Sequence, residues 1–395
     1  MKKLYLLFLL LLFVITSNSA NALPIAETTS KIAVGERHSM LVKSDGSLWI
    51  SGKPGYGETG QAAHTPKWTK TLTSGVKAVY ANGMHSFMIK SDNSLWYAGR
   101  NTFGLSGKGH TSAINSWTQV ATNVAKIETS TVGYHSIILK HDGSVWTAGS
   151  RSQGYIPTNT NNWTQIRSDG RDVAATQYGI AVLTDIGYTY AYGIGNSGEF
   201  GLGVTGSYNS WVLISNTATK IYSNGTNRLF TIDAANNLYG SGTPSKHEFG
   251  TGSTTTQLTP VLLNTGVKNV SAGYQYTFIE KTDGTWYSAG LGTYGRQGLG
   301  GTGTKATWTA QPTDITSMVA NQLHSLAIKS DGSFFGTGRD YYSQLGMETY
   351  VDILAWKELV FPPTTEAINT IAETTSKIAV GERHSMLVKS DGSLW

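Results

Sequence analysis

The apolar residues of this chain fall in short runs that alternate with polar positions, and one such run recurs along the whole sequence. In its clearest copies it reads GERHSMLVKSDGSLWISG from residue 35, GYHSIILKHDGSVWTAG from residue 133 and NQLHSLAIKSDGSFFGTG from residue 321. Alternation with a period of two predicts β-strands, and no segment shows a sustained apolar period of 3.6 residues. The pattern therefore predicts an all-β protein with almost no helix.

Seven copies of the run and the beginning of an eighth align on one position, which we call the aligned position. Its residues are His38, His85, His135, Tyr178, Arg228, Tyr276, His324 and His384. They follow one another at intervals of 43 to 60 residues. Repeats of this length are typical of a β-propeller, in which each copy supplies one four-stranded blade.

Each copy contains the signals for four strands. Two apolar runs flank an Asp-Gly or Asp-Asn pair, which predicts a hairpin with a tight type I′ turn because Gly and Asn tolerate positive φ. The pairs begin at Asp45, Asp92, Asp142, Asp283, Asp331 and Asp391. A glycine-rich loop then leads to a fourth strand marked by tryptophan, except in the fifth copy, which has Thr259 and Pro260. The tryptophans are Trp68, Trp117, Trp163, Trp211, Trp308 and Trp356, and we expect them to pack between blades.

The repeat resembles that of the regulator of chromosome condensation (RCC1) family, V-x-A-G-x-x-H-S-L-A-L-K-x-D-G-S-L-W-x-W-G followed by G-x-N-x-x-G-Q-L-G. The match extends over essentially everything after residue 30, and it is clearest in GRNTFG from residue 99 and SQLG from residue 343. The third and fourth copies depart most, with DIGYTY in place of DGSLW in the fourth. The resemblance implies a seven-bladed β-propeller of RCC1-like repeats over residues 23–362.

Residues 25–49 reappear letter for letter as residues 371–395, at an offset of 346 residues. This identity indicates a recent duplication or an artefact of sequence assembly, and we expect the natural gene to continue into a further unit. Residues 363–395 are interpreted as a linker and a duplicated partial eighth repeat. Either residues 25–49 close a ring of seven blades or eight partial blades form. Seven is favoured, because an incomplete blade leaves costly unpaired strand edges.

The first 22 residues have the pattern of a cleaved signal peptide. Lys2 and Lys3 precede an apolar run over residues 4–15, and Ala20 and Ala22 mark a cleavage site. The run is shorter than the ~20 residues of a spanning helix, so we expect a secreted or periplasmic protein without a membrane span after cleavage. Cysteine is absent, which excludes disulfides and thiolate chemistry. A chain of this length does not need disulfides to fold.

The charge pattern argues against a general nucleic-acid binder. The net charge is +5 and falls to +3 once Lys2 and Lys3 are removed, whereas nucleic-acid-binding proteins show a dense basic stripe. Charged residues make up only 14% of the chain, and the loops are rich in neutral polar residues. We expect a monomeric ring with a mostly neutral polar surface.

Several motifs suggest chemistry that their context does not support. GIGNSG from residue 193 and GLGTYG from residue 290 match a dinucleotide fingerprint, but no helix is predicted to begin there. The histidines at the aligned position belong to separate blades, so we interpret them as structural hydrogen-bonding groups and not as metal ligands. Recurrent Asp residues occupy turns. The sequence therefore predicts neither a cofactor nor a catalytic site.

The loops after the third strands are the candidate binding site, because equivalent loops of a propeller lie on one face. Cations follow the last glycine of the third strand by one or two places in four copies, and aromatic residues follow it by four places. The candidate partner-binding residues are Lys53, Tyr56, Arg100, Phe103, Arg151, Tyr294, Arg339 and Tyr342. Arginine and aromatic residues are enriched in binding hot spots. The alternative interpretation is that the aromatic residues pack and the cations are merely solvated.

The preferred hypothesis is an exported, non-enzymatic propeller that binds another protein or an anionic envelope polymer on this face. Some exported bacterial relatives in the resembled family inhibit β-lactamases in this way, so an inhibitor or an adhesion module is one version. Guanine-nucleotide exchange, which the family's nuclear founder performs, conflicts with export. It would also require a protruding wedge-shaped insertion, for which residues 361–370 are the only candidate in the sequence. An enzyme is the remaining alternative, and it would require a channel pocket that gathers residues such as Asp185, Asp340, His64, His110 and His247.

Overall fold

The computed structural model describes residues 24–61, 63–130, 134–150, 156, 160–223, 225–361, 378–381 and 384–387. Within these residues the chain forms seven four-stranded antiparallel sheets, each built from four consecutive strands. The first strand of each sheet contacts the neighbouring sheet, and the first sheet also contacts the seventh. The chain is thus an all-β, closed seven-bladed β-propeller, as the sequence predicted.

The first four blades contain strands β1 to β16. Blade 1 contains β1 (Ile32–Val34), β2 (His38–Val42), β3 (Leu48–Gly52) and β4 (Thr65–Leu72). Blade 2 contains β5 (Val76–Asn82), β6 (His85–Lys90), β7 (Leu95–Gly99) and β8 (Ile114–Ala121). Blade 3 contains β9 (Val124–Thr129), β10 (His135–Lys140), β11 (Val145–Gly149) and β12 (Thr160–Arg167). Blade 4 contains β13 (Gly170–Ala175), β14 (Gly179–Thr184), β15 (Thr189–Ile194) and β16 (Ser207–Ser215).

The remaining strands complete the ring and form one additional hairpin. Blade 5 contains β17 (Ala218–Tyr222), β18 (Arg228–Asp233), β19 (Leu238–Gly242) and β20 (Gln257–Asn264). Blade 6 contains β21 (Val267–Ala272), β22 (Tyr276–Lys281), β23 (Trp286–Gly290) and β24 (Lys305–Ala310). Blade 7 contains β25 (Ile315–Ala320), β26 (His324–Lys329), β27 (Phe334–Gly338) and β28 (Ile353–Glu358). The hairpin contains β29 (Ile378–Gly381) and β30 (His384–Leu387).

The strand directions give the ring two chemically different faces. The loop face carries the connections from the first to the second strand and from the third to the fourth strand of every blade, for example residues 53–64 in blade 1. The turn face carries the hairpins between the second and third strands, for example residues 43–47, together with the links between blades. All candidate binding residues that the structure describes belong to the loop-face segments, and Arg151 lies outside the described residues.

The predicted hairpins are present, but their turns are not of type I′. Gly46 has a φ of +77° and donates its N–H to the carbonyl of Lys43, whereas Asp45 is not among the residues with positive φ. A type I′ turn requires positive φ at both central residues. The Asp45 carboxylate instead accepts the Ser47 N–H at 2.8 Å, so the aspartate stabilises the turn through its side chain.

Except in blade 4, the side chain at the aligned position links its blade to the next. His38 Nε2 lies 2.6 Å from Ser86 Oγ in blade 2, and His324 Nε2 lies 2.7 Å from Ser39 Oγ in blade 1. Tyr276 OH lies 2.8 Å from Ser325 Oγ in blade 7. The interpretation of these residues as structural groups is therefore confirmed, and the same contact closes the ring between blades 7 and 1.

The fourth copy was misaligned by one residue. Gly179 pairs with Gly193 in the register that pairs His38 with Gly52, so Gly179 and not Tyr178 occupies the aligned position in blade 4. A Cβ atom at Gly179 would lie 2.7 Å from the Phe200 ring. The glycine is required there because Phe200 fills the space, which leaves Tyr178 on the loop face.

The tryptophans of the fourth strands pack against the preceding blade, as predicted. Trp68 covers Gly346 of blade 7 and donates its indole N–H to the Leu345 carbonyl at 3.0 Å. In blade 5, Pro260 covers Gly201 of blade 4 in the same way. Apolar clusters also join neighbouring blades, so the core is distributed among the blade junctions.

Blade 1 is completed by residues 32–72, and the described part of the duplicated segment, residues 378–381 and 384–387, pairs with no blade. Strands β29 and β30 pair only with each other and form a separate two-stranded sheet. The preference for seven blades closed by residues 25–49 is thus confirmed. The predicted signal peptide and the linker residues 363–370 lie outside the described residues.

The segment before blade 1 crosses the turn-face end of the central channel. The N–H of Ala26 donates to Arg171 O at 2.6 Å, and the N–H of Thr28 donates to Ala125 O at 2.9 Å. Glu27 Oε2 lies 2.9 Å from Lys77 Nζ. Residues 24–30 therefore contact blades 2, 3 and 4 and cover this end of the channel.

Candidate functional site

Each loop after a third strand begins at a glycine that the fold requires. Gly99 has a φ of +122°, and a Cβ atom there would lie 2.6 Å from the carbonyl oxygen of Met84. Only glycine combines this conformation with such a close approach. The loop therefore leaves every blade at the same height, which explains why equivalent loop positions recur around the face.

A buried polar residue then fixes the loop's aromatic position. The buried Glu58 carboxylate accepts the N–H groups of Gly55 and Tyr56 at 2.8 and 2.7 Å. In blade 7 the Gln344 side-chain oxygen accepts the N–H of Tyr342 at 2.9 Å. These bonds anchor the backbone of Tyr56 and Tyr342 while their rings remain on the loop face.

Arginines pair with these aromatic rings across the blade junctions. The guanidinium of Arg100 in blade 2 lies 5.6 Å from the ring of Tyr56 in blade 1. The guanidinium of Arg339 in blade 7 lies 5.0 Å from the ring of Tyr294 in blade 6. A cation over an aromatic ring at this range is an attractive contact. The two predicted residue types are thus in contact, each cation lying over the aromatic residue of the preceding blade.

Blade 1 forms the same junction with a residue that the sequence analysis missed. The guanidinium of Arg37 lies 4.7 Å from the Tyr342 ring of blade 7, at the place that the periodic rule would give to Lys53. Lys53 itself is exposed on the loop face. Arg151 lies outside the described residues, so its predicted role stays a prediction.

Aromatic rings continue the series into blades 3 and 4. Phe103 meets Tyr134 edge to face at 5.0 Å, and Tyr134 stacks on Tyr178 at 5.9 Å. We call the whole series the aromatic–cation arc, and it spans blades 6, 7, 1, 2, 3 and 4. Its members are Tyr294, Arg339, Tyr342, Arg37, Tyr56, Arg100, Phe103, Tyr134 and Tyr178.

The arc leaves aromatic surface accessible and borders a cavity at Arg100, Phe103 and Tyr134. Tyr56 is 42% exposed, and Tyr341, which touches Arg339 and Tyr342, is 58% exposed. A cavity of about 390 Å³ lies beside Arg100, Phe103 and other loop-face residues of blades 1, 2, 3 and 7. Exposed aromatic rings fixed next to arginines have the composition of a protein-binding hot spot.

A sequence signal for the missed residues does exist. Arg37, Tyr134 and Tyr178 each directly precede the residue in the aligned position of their blade. The strand alternation turns this preceding residue away from the blade junction and onto the loop face. Reading that position in every copy would have identified Arg37 and Tyr134, whereas Tyr178 also requires the corrected register of the fourth copy.

The central channel holds charged side chains that were also missed. Lys126 Nζ lies 2.7 Å from Asp172 Oδ1 and 3.3 Å from Glu128 Oε1, within a cavity of about 820 Å³. Burial raises the pKa of Glu128 to about 7. Lys268 and Glu280 form a second pair at 2.6 Å. The channel wall thus carries both cations and carboxylates, and these form ion pairs.

The five residues named for an enzymatic pocket are not brought together. Asp185, Asp340, His64, His110 and His247 belong to blades 4, 7, 1, 2 and 5 respectively. Asp340 is buried and accepts the N–H of Leu345 at 2.8 Å, so it stabilises its loop. Among the described residues, no cluster of three or more His, Asp or Glu side chains has the arrangement of a metal site.

The buried histidines remain neutral at neutral pH. Burial lowers the pKa of His85 and His324 to about 3 and that of His135 to about 4. A neutral imidazole ring can form one hydrogen bond to the next blade without placing a charge in the interior. The two dinucleotide-like stretches open no α-helix, since the one after residue 290 forms only the 3-10 turn Thr293–Gly295.

The fold and this loop face define the class: a closed seven-bladed β-propeller of RCC1-like repeats. Prp20p of Saccharomyces cerevisiae, studied for its binding to Gsp1p and histones, is similar with a TM-score of 0.69 and 16% identity, covering 81% of this chain and 87% of that chain. Yeast RCC1 (Prp20) in complex with Kap60 is similar with a TM-score of 0.67 and 14% identity, covering 91% and 88%. The resemblance of the repeat is confirmed at the level of the fold.

Two further comparisons found no relative. No protein-family model matches the chain, and no curated protein matches it. In the described part of the chain, no helix has the length and apolar character to cross a membrane.

Proposed function

We propose that this chain is an exported, non-enzymatic binding propeller that holds a protein partner through the aromatic–cation arc on its loop face. The observation that carries the proposal is the series of arginine–tyrosine contacts across consecutive blade junctions, with rings such as Tyr56 still 42% exposed. Arginine and tyrosine anchors, fixed by their neighbours, lose little conformational freedom on binding.

An acidic protein surface is the partner that fits this arc. Three guanidinium groups, from Arg37, Arg100 and Arg339, lie on one face. Arg37 pairs with Glu36 of its own blade at 3.2 Å, and within the described residues none of the three has a carboxylate partner from another blade. Arginine binds carboxylates in a bidentate manner. An anionic envelope polymer offers the same charge and is the alternative partner. The yeast protein of this fold binds proteins, which supports a protein partner by analogy of fold only.

The test compares two triple variants that remove the same number of charges from opposite faces. The loop-face variant is Arg37→Ser, Arg100→Ser and Arg339→Ser. The turn-face control is Lys90→Ser, Lys140→Ser and Lys329→Ser, whose cations also lie over aromatic rings, at 3.8, 4.4 and 4.8 Å. Both variants therefore lose three positive charges. The control loses three cation–aromatic contacts, and the loop-face variant loses five because Arg339 lies near three rings.

The measurement is affinity capture from extracellular and envelope extracts of the producing organism, followed by a binding titration of each captured protein. We expect the turn-face control to bind like the unmodified chain and the loop-face variant to bind at least about tenfold more weakly. Equal binding by both variants, or loss in the turn-face control alone, contradicts the proposed site.

Export rests on the pattern of residues 1–22 and has its own test. Lys2 and Lys3, the apolar run and the small residues Ala20 and Ala22 form a signal-peptide pattern. Mass spectrometry of the protein recovered outside the cytoplasm should give an N-terminus near Leu23. A cytoplasmic protein that retains Met1 or Lys2 contradicts export and leaves the loop-face site to be judged by the capture experiment.

A further inference from the structure

A second site lies on the loop face, outside the aromatic–cation arc, where blade 5 departs from the repeat. The aligned position holds Arg228 there, in place of the histidine of blades 1, 2, 3 and 7. Arg228 donates to Glu248 at 2.9 Å and to the carbonyl oxygens of Gly273 and Tyr274 in blade 6 at 3.1 and 2.8 Å. The longer side chain thus forms a different junction from that of a histidine.

A cavity of about 200 Å³ lies at this junction, between the loop-face segments of blades 4, 5 and 6. Its wall includes Arg228 and Thr226, which are only 3% and 6% exposed. Among the residues that the structure describes, Arg228 Nε and Thr226 Oγ1 have no hydrogen-bond partner. Buried polar groups are normally hydrogen-bonded, and both residues line the cavity, so a polar ligand held there can supply the missing partners.

The cavity rim has the chemistry of a neutral ligand site. Gln177, Asn227, Gln275 and Ser245 supply amide and hydroxyl groups that can both donate and accept hydrogen bonds. The charge of Arg228 is balanced by Glu248, so no net charge favours an anion or a cation. The ring of Tyr274 also lines the cavity and is 47% exposed, which provides a flat apolar surface beside the polar groups.

We propose that this cavity binds one neutral sugar ring, such as the end of an uncharged glycan. A sugar ring presents several hydroxyl groups at its edge and apolar C–H groups on its face, which match the amides around the cavity and the Tyr274 ring. The volume is below the roughly 300–1,000 Å³ of pockets for drug-sized ligands, so it suits a single ring. This site shares no residue with the aromatic–cation arc and does not rest on the proposed function.

The test uses the full chain and a panel of neutral methyl glycosides: glucoside, galactoside, mannoside and N-acetylglucosaminide. Saturation-transfer NMR at millimolar sugar identifies a binder, and titration gives its affinity. We expect at least one panel member to bind. No binding by any of the four, or binding only by the charged probe glucuronic acid, overturns the proposal.

Two variants locate the binding within the cavity. Thr226→Val keeps the shape of the side chain but removes Oγ1, and Tyr274→Ala removes the ring; each should weaken binding roughly tenfold or more. Tyr274→Phe retains the ring and should bind like the unmodified chain. Unchanged affinity in both Thr226→Val and Tyr274→Ala overturns the location.

The matched control is Tyr341→Ala, which removes a tyrosine that is 58% exposed on the same face but belongs to blade 7. Its sugar affinity should be unchanged, and so should that of the loop-face triple variant Arg37→Ser, Arg100→Ser and Arg339→Ser. Thermal unfolding of each variant verifies that the ring is intact. Equal loss in Tyr341→Ala and Tyr274→Ala contradicts a site at blades 4 to 6.

Discussion

The two faces of the ring use the same interaction in different ways. On the turn face, Lys90 and Lys140 each lie over an aromatic residue of their own hairpin, Trp96 and Trp146. On the loop face, Arg100 and Arg339 lie over aromatic residues of the preceding blade. The turn face therefore repeats a local contact in blades 1, 2, 3 and 7. The loop face has local contacts as well, such as Arg296 with Tyr294, but its contacts also join neighbouring blades. One exception is Arg167 of blade 3, which contacts Tyr190 in blade 4 near the turn face.

The largest expected effect is the difference in stability between removing a fully buried tryptophan at the ring closure and removing a half-buried tryptophan of a turn-face hairpin. Trp68 is fully buried and holds the blade 7 loop at Gly346 against blade 1. Trp68→Ala should lower the free energy of unfolding by about 3–5 kcal/mol, because it leaves a cavity at the ring closure. Trp96→Ala, at a half-buried hairpin position, should cost less than half as much in urea unfolding. Equal losses would contradict the difference between the faces.

The second prediction compares how the free energy of unfolding depends on pH at a buried histidine of the aligned position and at an aspartate of the turn face. The pKa of His324, about 3 in the folded protein because of burial, is below the unfolded value near 6.5. The unfolded chain therefore binds the proton first, so the stability from neutral His324 is present above pH 6.5 and is lost as the pH falls toward 3. At pH 5.5 the loss is about 1.4 kcal/mol for this one histidine.

The measurement is urea unfolding of His324→Gln and the unmodified chain at pH 7.5 and pH 5.5. The variant should lose about 1.4 kcal/mol less on acidification. Glu128, Glu199 and Asp340 have raised pKa values of about 7, 7 and 6 because of burial. These carboxyl groups make the protein more stable on acidification, which is opposite to the effect of His324. They are present in both chains, so their contribution cancels when the two changes in unfolding free energy are subtracted.

The turn face supplies the control for this pH prediction. The hydrogen bond from Ser333 holds the pKa of Asp331 below its usual 3.8, so its contribution is lost only at more acidic pH. Asp331→Asn should therefore show the same change between pH 7.5 and 5.5 as the unmodified chain. A variant that behaves like His324→Gln would contradict the assignment of the pH response to the aligned position.

The smallest expected effect compares the two kinds of cation–aromatic pair. A double-mutant cycle on Arg339 and Tyr294 should give a coupling free energy of about 1 kcal/mol, because the half-buried pair joins two blades. The cycle on Lys90 and Trp96 should give about 0.5 kcal/mol, because a contact within one hairpin partly persists in the unfolded chain. A larger coupling for Lys90 and Trp96 would reverse the comparison.

The repetitive contacts could be predicted from sequence, and the contacts between distant segments could not. The turn aspartates, Trp68 and the histidines appear in several copies, so one copy supports the interpretation of the others. The fourth copy was aligned on Tyr178 and not on Gly179 because sequence comparison favours a large side chain at this position. In the structure the ring of Phe200 fills the space that such a side chain would take, so only glycine fits. The prediction of type I′ turns was wrong because the Asp45 side chain accepts the Ser47 N–H, and Asp45 is not among the residues with positive φ.

The site was predicted as positions on one face, but not as a connected surface. The sequence placed Arg100 and Tyr56 in equivalent loops without showing that the cation of one blade reaches the ring of the preceding blade. That contact depends on the distance between blades. The crossing of the channel by residues 24–30 was also not predicted, since the strands it contacts are distant in sequence.

The most direct test of the central claim is photo-crosslinking from each face. A photoreactive phenylalanine replaces Tyr341 on the loop face or Ile186 on the turn face, which are 58% and 66% exposed, and each chain is irradiated with the extracellular and envelope proteins of the producing organism. The account predicts a discrete crosslinked protein from position 341 that is absent from position 186. The same adduct from both positions, or an adduct from position 186 alone, would contradict a binding surface on the loop face.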